Sequence, residues 1–305
     1  MAHTSIRQIQ IFEQVARYQS HTRASEELHM TQPAVSMQMK QMEENLGVSL
    51  FDRRGKKLSL TKTGEEMSKH CSYIVQAYND MIEYVDEVKG GKSGQLSVSV
   101  ASTANTFATH ILSAFSKRHP QVAISLDITN RRKILYQLDH FEPDLVIMGE
   151  PPKGLSLNSE KFMPNPLVVI APPDHPLADS AQISPEVLAK ERFVVREKGS
   201  GTREAIERHF AKLGQKCGGT LELSDNEAIK YAVAAGFGLG VVSLHTIQLE
   251  LKNLLLVTLD VEGFPIERNW HLVTRSEKAM TPVARAFREF MLQEAKKYTK
   301  LVEQR

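Results

Sequence analysis

TRASEELHMTQPAVSMQMKQMEENL, residues 22–46, reads as a short helix, a tight turn and a longer helix. Thr22 has the side chain of an N-cap, and Ala24 and Leu28, four apart, share the inner face of the first helix. His29 and Met30 form the turn. Thr31 caps the second helix, and Pro33 falls in its first turn, where a missing N–H does no harm. Val35, Met39, Met42 and Leu46 then recur at i, i+4, i+7 and i+11 as one apolar stripe. The opposite face carries Pro33, Ser36, Met37 and Lys40, with Gln32 at the tip. That is the spacing of a helix-turn-helix. Its second helix would present Gln32, Pro33, Ser36 and Met37 to base edges, while Thr22, Arg23 and Lys40 lie beside the phosphates. The same spacing also fits a plain helical hairpin with a solvated polar face, so the flanks have to separate the two.

On the N-terminal side, Ile6, Ile9, Phe12 and Ala16 make an amphipathic helix that would support the pair from behind. On the C-terminal side, Gly47 ends the helical pattern and Val48–Leu60 reads as two short strands around RRGKK. Arg53, Arg54, Lys56 and Lys57 put four cations in five residues, with Gly55 allowing the turn. A charge run is usually a solvated face. In a hairpin wing directly after a recognition helix, Arg53, Arg54 and Lys56 are expected on phosphate or in the minor groove. The runs RQIQIFEQVA, RASEELHMTQPAVSMQMKQMEENLGVSLFDR and LSLTKTGEEM closely resemble the DNA-binding end of LysR-type transcriptional regulators, without a gap from Ile6 to Gly64. The sequence departs from that pattern at Met37, where many members carry Arg or Lys. A thioether cannot make a bidentate guanine contact, so readout there would be apolar.

Thr61 caps a long helix running from Lys62 to about Lys89. Met67, Cys71, Ile74, Tyr78, Met81, Val85 and Val88 recur along it at alternating steps of four and three, an a/d seam that predicts pairing with the same helix of a second subunit. Packing on its own domain is the alternative use of that stripe. GGKSG, residues 90–94, is a hinge. Beyond it, strands (Leu96–Val100, Val122–Ile128, Leu145–Met148, Leu167–Ala171, Phe193–Val195, Leu239–Val242) alternate with helices (Thr106–Arg118, Thr202–Lys212, Asn226–Ala235). A final helix, Thr281 to about Tyr298, buries Phe287, Phe290 and Met291. This is α/β with largely parallel sheets. The expected plan is an all-α winged helix-turn-helix over 1–61, a linker helix over 62–89, a hinge over 90–94 and an effector domain over 95–305. Two lobes follow, one of about 95–163 with 270–305 and one of about 164–269. The resemblance implies a periplasmic-binding-protein-like form for them.

In open α/β units, ligands gather at the carboxyl ends of strands beside helix N-termini. ASTANT offers Ser102 and Thr103 there. REKGSGTR offers Arg196, Gly201, Thr202 and Arg203, with glycines that let the backbone approach an anion and arginines suited to phosphate or carboxylate. SDNEAIK offers Asn226, and Asn130 and Arg131 follow the second strand; Met148 closes the set at the end of the third. Ser, Thr and Asn also cap helices everywhere, which is the plainer reading of Ser102 or Asn226 alone. Together, the arginines point to an anionic and phosphorylated ligand.

NRRKIL, DLVIMGEPP, PLVVIAPPDHPLA, REKGSGTR, NEAIKYAVAAGFGLGVVSLHTI and EGFPIERNWHLV are similar to one branch of the LysR type, the regulators of carbon-dioxide fixation (RuBisCO, Calvin-cycle and inorganic-carbon) genes, with an activator the expected output. The resemblance implies an operator in double-stranded DNA, RNA polymerase as a further partner, and a dimer through the linker helix assembled into a homotetramer. It implies no bound cofactor, and an effector such as ribulose 1,5-bisphosphate, 2-phosphoglycolate or phosphoenolpyruvate, with NADPH in the same range. Other readings remain: a regulator of another pathway sensing a non-phosphorylated anion, or a small-molecule binding protein.

Composition agrees with a soluble globular chain of 305 residues, 41% hydrophobic and 24% charged. The net charge of +2 does not argue for nucleic acid by itself. Two cysteines, Cys71 and Cys217, supply no disulfide framework or zinc cluster, and cytoplasmic residence without membrane contact is expected. Enzyme signatures are missing. GFGLG (236–240) follows a helix and precedes a strand, the reverse of a dinucleotide fingerprint, and reads as a helix end. The histidines lack metal spacing, and His175 sits in a turn. Asp144, near Glu142, opens a buried strand and would cap it.

Overall fold

The structure, a computed structural model, describes residues 4–54, 57–88 and 94–303. The chain divides into two compact units, residues 1–92 with 137–142, and residues 93–136 with 143–305. No helix among the described residues is long and apolar enough to cross a membrane.

The first unit contains α1 (Ile6–Tyr18), α2 (His21–Glu27), α3 (Gln32–Leu46), the antiparallel hairpin β1 (Phe51–Arg54) and β2 (Lys57–Leu60), and α4 (Lys62–Val88). Ser5 starts α1 through a capping box with Gln8. The inner face of α1 is Ile11, Phe12, Val15 and Ala16. Ile6, expected inside, is 37% exposed, because the first turn of α1 projects past the core that the later turns reach. The cap of α2 is Ser20, whose backbone is extended and whose hydroxyl accepts the Arg23 N–H at 3.3 Å. Thr22 is therefore an exposed first-turn residue and not the cap. Leu28 closes α2 and packs on the core from just beyond it, and His29 takes the left-handed turn at φ 51°. Thr31 caps α3 by accepting Ala34 N–H, Pro33 sits in the first turn, and Gly47 ends the helix at φ 68°. Val35, Met39 and Met42 are buried beneath it, with Leu46 half-buried.

Thr61 caps α4, its hydroxyl accepting Gly64 N–H at 2.9 Å. A Cβ at Gly64 would overlap the Leu50 carbonyl oxygen, so only glycine lets α4 start so close to the chain entering the hairpin. The expected seam divides in two. Met67 and Cys71 pack into the winged-helix core with Phe12 and Val15, and Cys71 is 1% exposed. They are core residues first, because the opening turns of α4 lie against α1. Ile74, Tyr78, Met81 and Val85 are exposed. Burial pushes the Cys71 thiol up to about 12, which leaves it unreactive.

The second unit begins with β3 (Gln95–Ala101), α5 (Asn105–Arg118), β4 (Ala123–Thr129), α6 (Arg131–Asp139, of which the residues from Gln137 on belong to the first unit), β5 (Leu145–Met148) and β6 (Leu157–Pro164). It continues through β7 (Leu167–Ala171), α7 (Pro185–Leu188), β8 (Phe193–Arg196), α8 (Gly201–Lys212), β9 (Gly219–Leu223), α9 (Asn226–Ala234), β10 (Leu239–Ser243), α10 (Gln248–Lys252) and β11 (Val257–Thr258). β12 (Asn269–Arg275) and α11 (Pro282–Glu303) complete it. Two five-stranded sheets form, ordered β4-β3-β5-β12-β6 and β11-β7-β10-β8-β9. The chain leaves the first sheet after β6 and returns at β12, so two strands link the lobes. Those crossings correct the expectation of largely parallel sheets. β3, β4 and β5 run parallel, as do β8, β9 and β10, but β12 pairs antiparallel with β5 and β6, and β7 with β10 and β11.

β7 is buried on both faces: Leu167, Val169 and Ala171 join one cluster with Phe193 and Phe210, while Val168 and Ile170 join another with Ile229 and Val233. The first lobe closes on Phe107, Phe115, Trp270, Phe287 and Met291. Asp144 accepts Ser97 N–H at 2.8 Å and the Lys278 ammonium at 2.7 Å, a strand-opening cap. Gly236 and Gly238 end α9 with positive φ before β10. His175 accepts Leu177 N–H inside its turn.

Candidate functional site

Two surfaces carry the chemistry-bearing residues. The first is the outer face of α3. Gln32, Pro33, Met37 and Lys40 are exposed on it, and Met37 is 63% exposed. Gln32 donates to the Ser36 hydroxyl at 2.8 Å, and Ser36 lies 2.8 Å from His21 Nδ1. This chain fixes the rotamer of Gln32 before any contact is made, which lowers the ordering entropy of a base contact. Lys40 stands 3.7 Å from Glu44, a weak exposed pair that phosphate can displace. Arg23 is exposed on α2. Arg53 and Arg54 stand in β1, with Arg54 opposite Lys57. Lys56 lies outside the described residues, as does the expected hinge apart from Gly94.

The second surface is a solvent-open cavity in the second unit, between the carboxyl ends of strands from both sheets. The first sheet supplies Ser102 and Thr103 after β3, Asn130 and Arg131 after β4, and Met148 at the end of β5. The second supplies Arg196 at the end of β8, and Gly201 and Thr202 at the start of α8. Parallel strands all point their carboxyl ends one way, which is why loops so distant in sequence meet here. Ser200, N-cap of α8, is 2% exposed and its side chain makes no capping bond. The α8 N-terminus therefore presents free N–H groups beside a hydroxyl.

The arginines differ in how far they are neutralised. Arg196 is 3% exposed and clamped two-pronged by Glu197 at 2.8 and 3.2 Å, with a further bond to the Ser102 hydroxyl at 3.4 Å. Arg131 pairs with Glu204 at 3.3 Å and donates to the Glu150 carbonyl at 2.6 Å. Asn130 is partly engaged as well: it caps α6 by accepting Lys133 N–H and donates to Glu197. Arg203, expected in the cavity, points away from it. Its guanidinium is held by Glu207 at 2.8 Å and Glu222 at 2.5 Å, and it donates back to the Arg196 carbonyl. The i, i+4 partner on α8 and the facing strand β9 outcompete the cavity. Asn226 is also absent from the lining. It is buried in the first turn of α9, where Asp225 does the capping.

Arg268, Trp270, Asn165, Gly149, Thr129 and Ser200 line the cavity without having been expected. Arg268 matters most. It makes no ion pair among the described residues. Burial, and then repulsion from Arg131 and Arg208, push it down to about 10. A Cβ on Gly149 would overlap the Arg268 Nη2, so glycine at 149 leaves the guanidinium its present place and a larger residue would displace it. The indole N–H of Trp270 is buried without a hydrogen-bond partner among the described residues. The available signal was position: ERNW lies where the chain crosses back between lobes, and side chains at such crossings border the cleft.

Residues 6–65 match the bacterial regulatory helix-turn-helix protein, lysR family, and residues 89–296 match the LysR substrate binding domain. The chain is 52% identical over 293 residues to the RuBisCO operon transcriptional regulator of Allochromatium vinosum, covering 96% of this chain and 97% of that protein. It is 38% identical over 291 residues to the HTH-type transcriptional activator CmpR of Synechocystis, covering 95% and 96%. The regulatory domain of Synechocystis CcmR, solved in complex with 2-PG, superposes with a TM-score of 0.64 at 38% identity, over 66% of this chain and 96% of that one. With both halves of the family's plan present in order, the chain belongs to the LysR family of transcriptional regulators.

Proposed function

We propose that this protein is a sequence-specific DNA-binding activator of carbon-dioxide fixation genes, and that the cavity between its lobes receives a small phosphorylated metabolite of the 2-phosphoglycolate class. The relatives named for RuBisCO operon control support the gene class. The ligand reading rests above all on Arg268. A guanidinium that is desolvated, repelled by two other arginines and in no ion pair among the described residues, with Glu150 and Glu204 acting on it only as smaller effects, is stabilised by an arriving anion more than by any neutral ligand. Around it, Ser102, Thr103, Ser200 and Thr202 offer hydroxyls, the start of α8 offers N–H groups and Trp270 an indole N–H. A phosphate accepts all of these at once. An aromatic acid would leave several unsatisfied.

Titration calorimetry with 2-phosphoglycolate on the parent and on Arg268→Gln tests this. Loss of one charge-assisted contact, about 1.5–3 kcal/mol, weakens binding about 10- to 100-fold. Equal affinities in the two proteins would remove Arg268 from the site. On the DNA side, binding falls steeply with salt, as phosphate contacts require. Gln32→Ala relaxes preference at one base pair by about 1–3 kcal/mol while leaving affinity for random DNA unchanged. Equal losses on operator and random DNA would show that α3 does not read bases through Gln32.

A further inference from the structure

Arg268 borders two cavities. Beyond the one already described lies a second, open to solvent and lined by Lys161 of β6, His271 of β12, Arg208 and Lys212 of α8, and Arg268 itself. Both lobes contribute. Arg208 and Lys212 are one turn apart, so they share a face of α8. Lys161 and His271 are paired across neighbouring strands. None of the four permanent cations makes an ion pair among the described residues, although Glu150 and Glu267 also line the space. The cations also act on one another. After burial, Arg131 and then Arg208 depress Arg268, and Lys212 depresses His209; Arg208 depresses Arg131 against a larger opposing effect of Glu204, and Lys161 and Arg268 depress His271 against a larger opposing effect of Glu150. Four cations against two carboxylates leave an uncompensated excess of two positive charges, spread across the cavity walls. Ala205 and Ile266 add apolar lining.

We infer that this second cavity is an anion site of its own, built for a ligand bearing a diphosphate group, with Arg208 and Lys212 holding it from α8 and Lys161 from the opposite lobe. A diphosphate carries two phosphoryl groups, one to meet Arg208 and Lys212 on α8 and one to meet Lys161 on the other lobe. Arg268 stands in both walls, so occupation of one site alters the field in the other. That is a direct physical route for coupling two ligands. The site does not depend on the identity of the ligand in the first cavity.

The experiment uses the full-length protein and inorganic pyrophosphate as the probe, followed by calorimetry with and without saturating 2-phosphoglycolate. One pyrophosphate binds per chain under both conditions. Arg208→Gln/Lys212→Gln, at exposed positions of α8, weakens pyrophosphate about tenfold or more and still binds 2-phosphoglycolate. Lys161→Gln, on the other lobe, weakens pyrophosphate as well. Absence of pyrophosphate binding, unchanged affinity in the variants, or complete exclusion of pyrophosphate by 2-phosphoglycolate would overturn the second site. If 2-phosphoglycolate fails to bind at all, the reading of the first cavity falls, and the pyrophosphate titration of the ligand-free protein still decides the second.

Discussion

Arg268 is kept charged in surroundings that resist its charge, and the consequences for stability and for binding are opposite. Its folded-state pKa lies below the ordinary arginine value, so the fold disfavours its protonated form at every pH below about 10. Ligand-free Arg268→Gln therefore melts no lower than the parent, while its stabilisation by 2-phosphoglycolate is lost. A lower melting temperature without ligand would show that Arg268 is structural. His245 carries a second prediction. It is buried against Phe107 and donates to the Pro164 carbonyl at 2.8 Å, and burial holds its pKa below the usual 6.5 despite that bond. As pH falls below about 6.5, the unfolded chain takes up a proton that the folded one refuses, so stability declines until the lower folded pKa is reached. Urea midpoints at pH 7.5 and 5.5 should differ more for the parent than for His245→Gln; equal differences would rule His245 out. At this scale the sequence disclosed residue types and not orientation. Eight of the ten residues expected around the ligand do line the cavity, because strand ends and helix starts fix where they must be. Arg203 was misplaced because its carboxylate partners come from α8 and β9, and a pairing with β9 is a tertiary fact.

Among the elements, α4 serves two masters along one stripe. Its first turns are consumed by the winged-helix core at Met67 and Cys71, and its later turns leave Ile74, Tyr78 and Met81 at 41, 38 and 51% exposed. Apolar side chains spaced at seven and left in water point to a partner helix of the same kind. Ile74→Glu/Met81→Glu converts a self-associated protein to monomers in sedimentation equilibrium, with the winged-helix fold intact. An unchanged oligomer would place the contact elsewhere. The periodicity was legible, but the division was not, since core and seam use the same spacing. The core strands were equally plain as unbroken apolar runs, whereas β6 was not. LNSEKFMP is polar because it is an edge strand, paired only with β12 and fully buried at Met163 alone. α6 was hidden for a similar reason: RRKILYQLD has a short apolar face, and nothing in its sequence shows that Asn130 caps it.

Across the molecule, one sequence joins a DNA-reading unit to a ligand-binding one, and regulation requires that the second bias the first. A ligand that bridges two sheets joined by two crossing strands favours one relative setting of the lobes, and it can shift the population only by its difference in affinity for the two settings. A ligand that binds one setting alone contributes about 2.7 kcal/mol at a hundred times its dissociation constant. That is enough to redistribute two states separated by a similar amount. The decisive measurement is fluorescence energy transfer across a doubly labelled operator, selected by the protein from random-sequence DNA, with 2-phosphoglycolate titrated in. In the parent protein the DNA bend changes with ligand. In Arg268→Gln the operator is bound as tightly and the bend stays fixed. A bend that responds equally in both proteins, or in neither, would contradict a regulator governed through the Arg268 cavity.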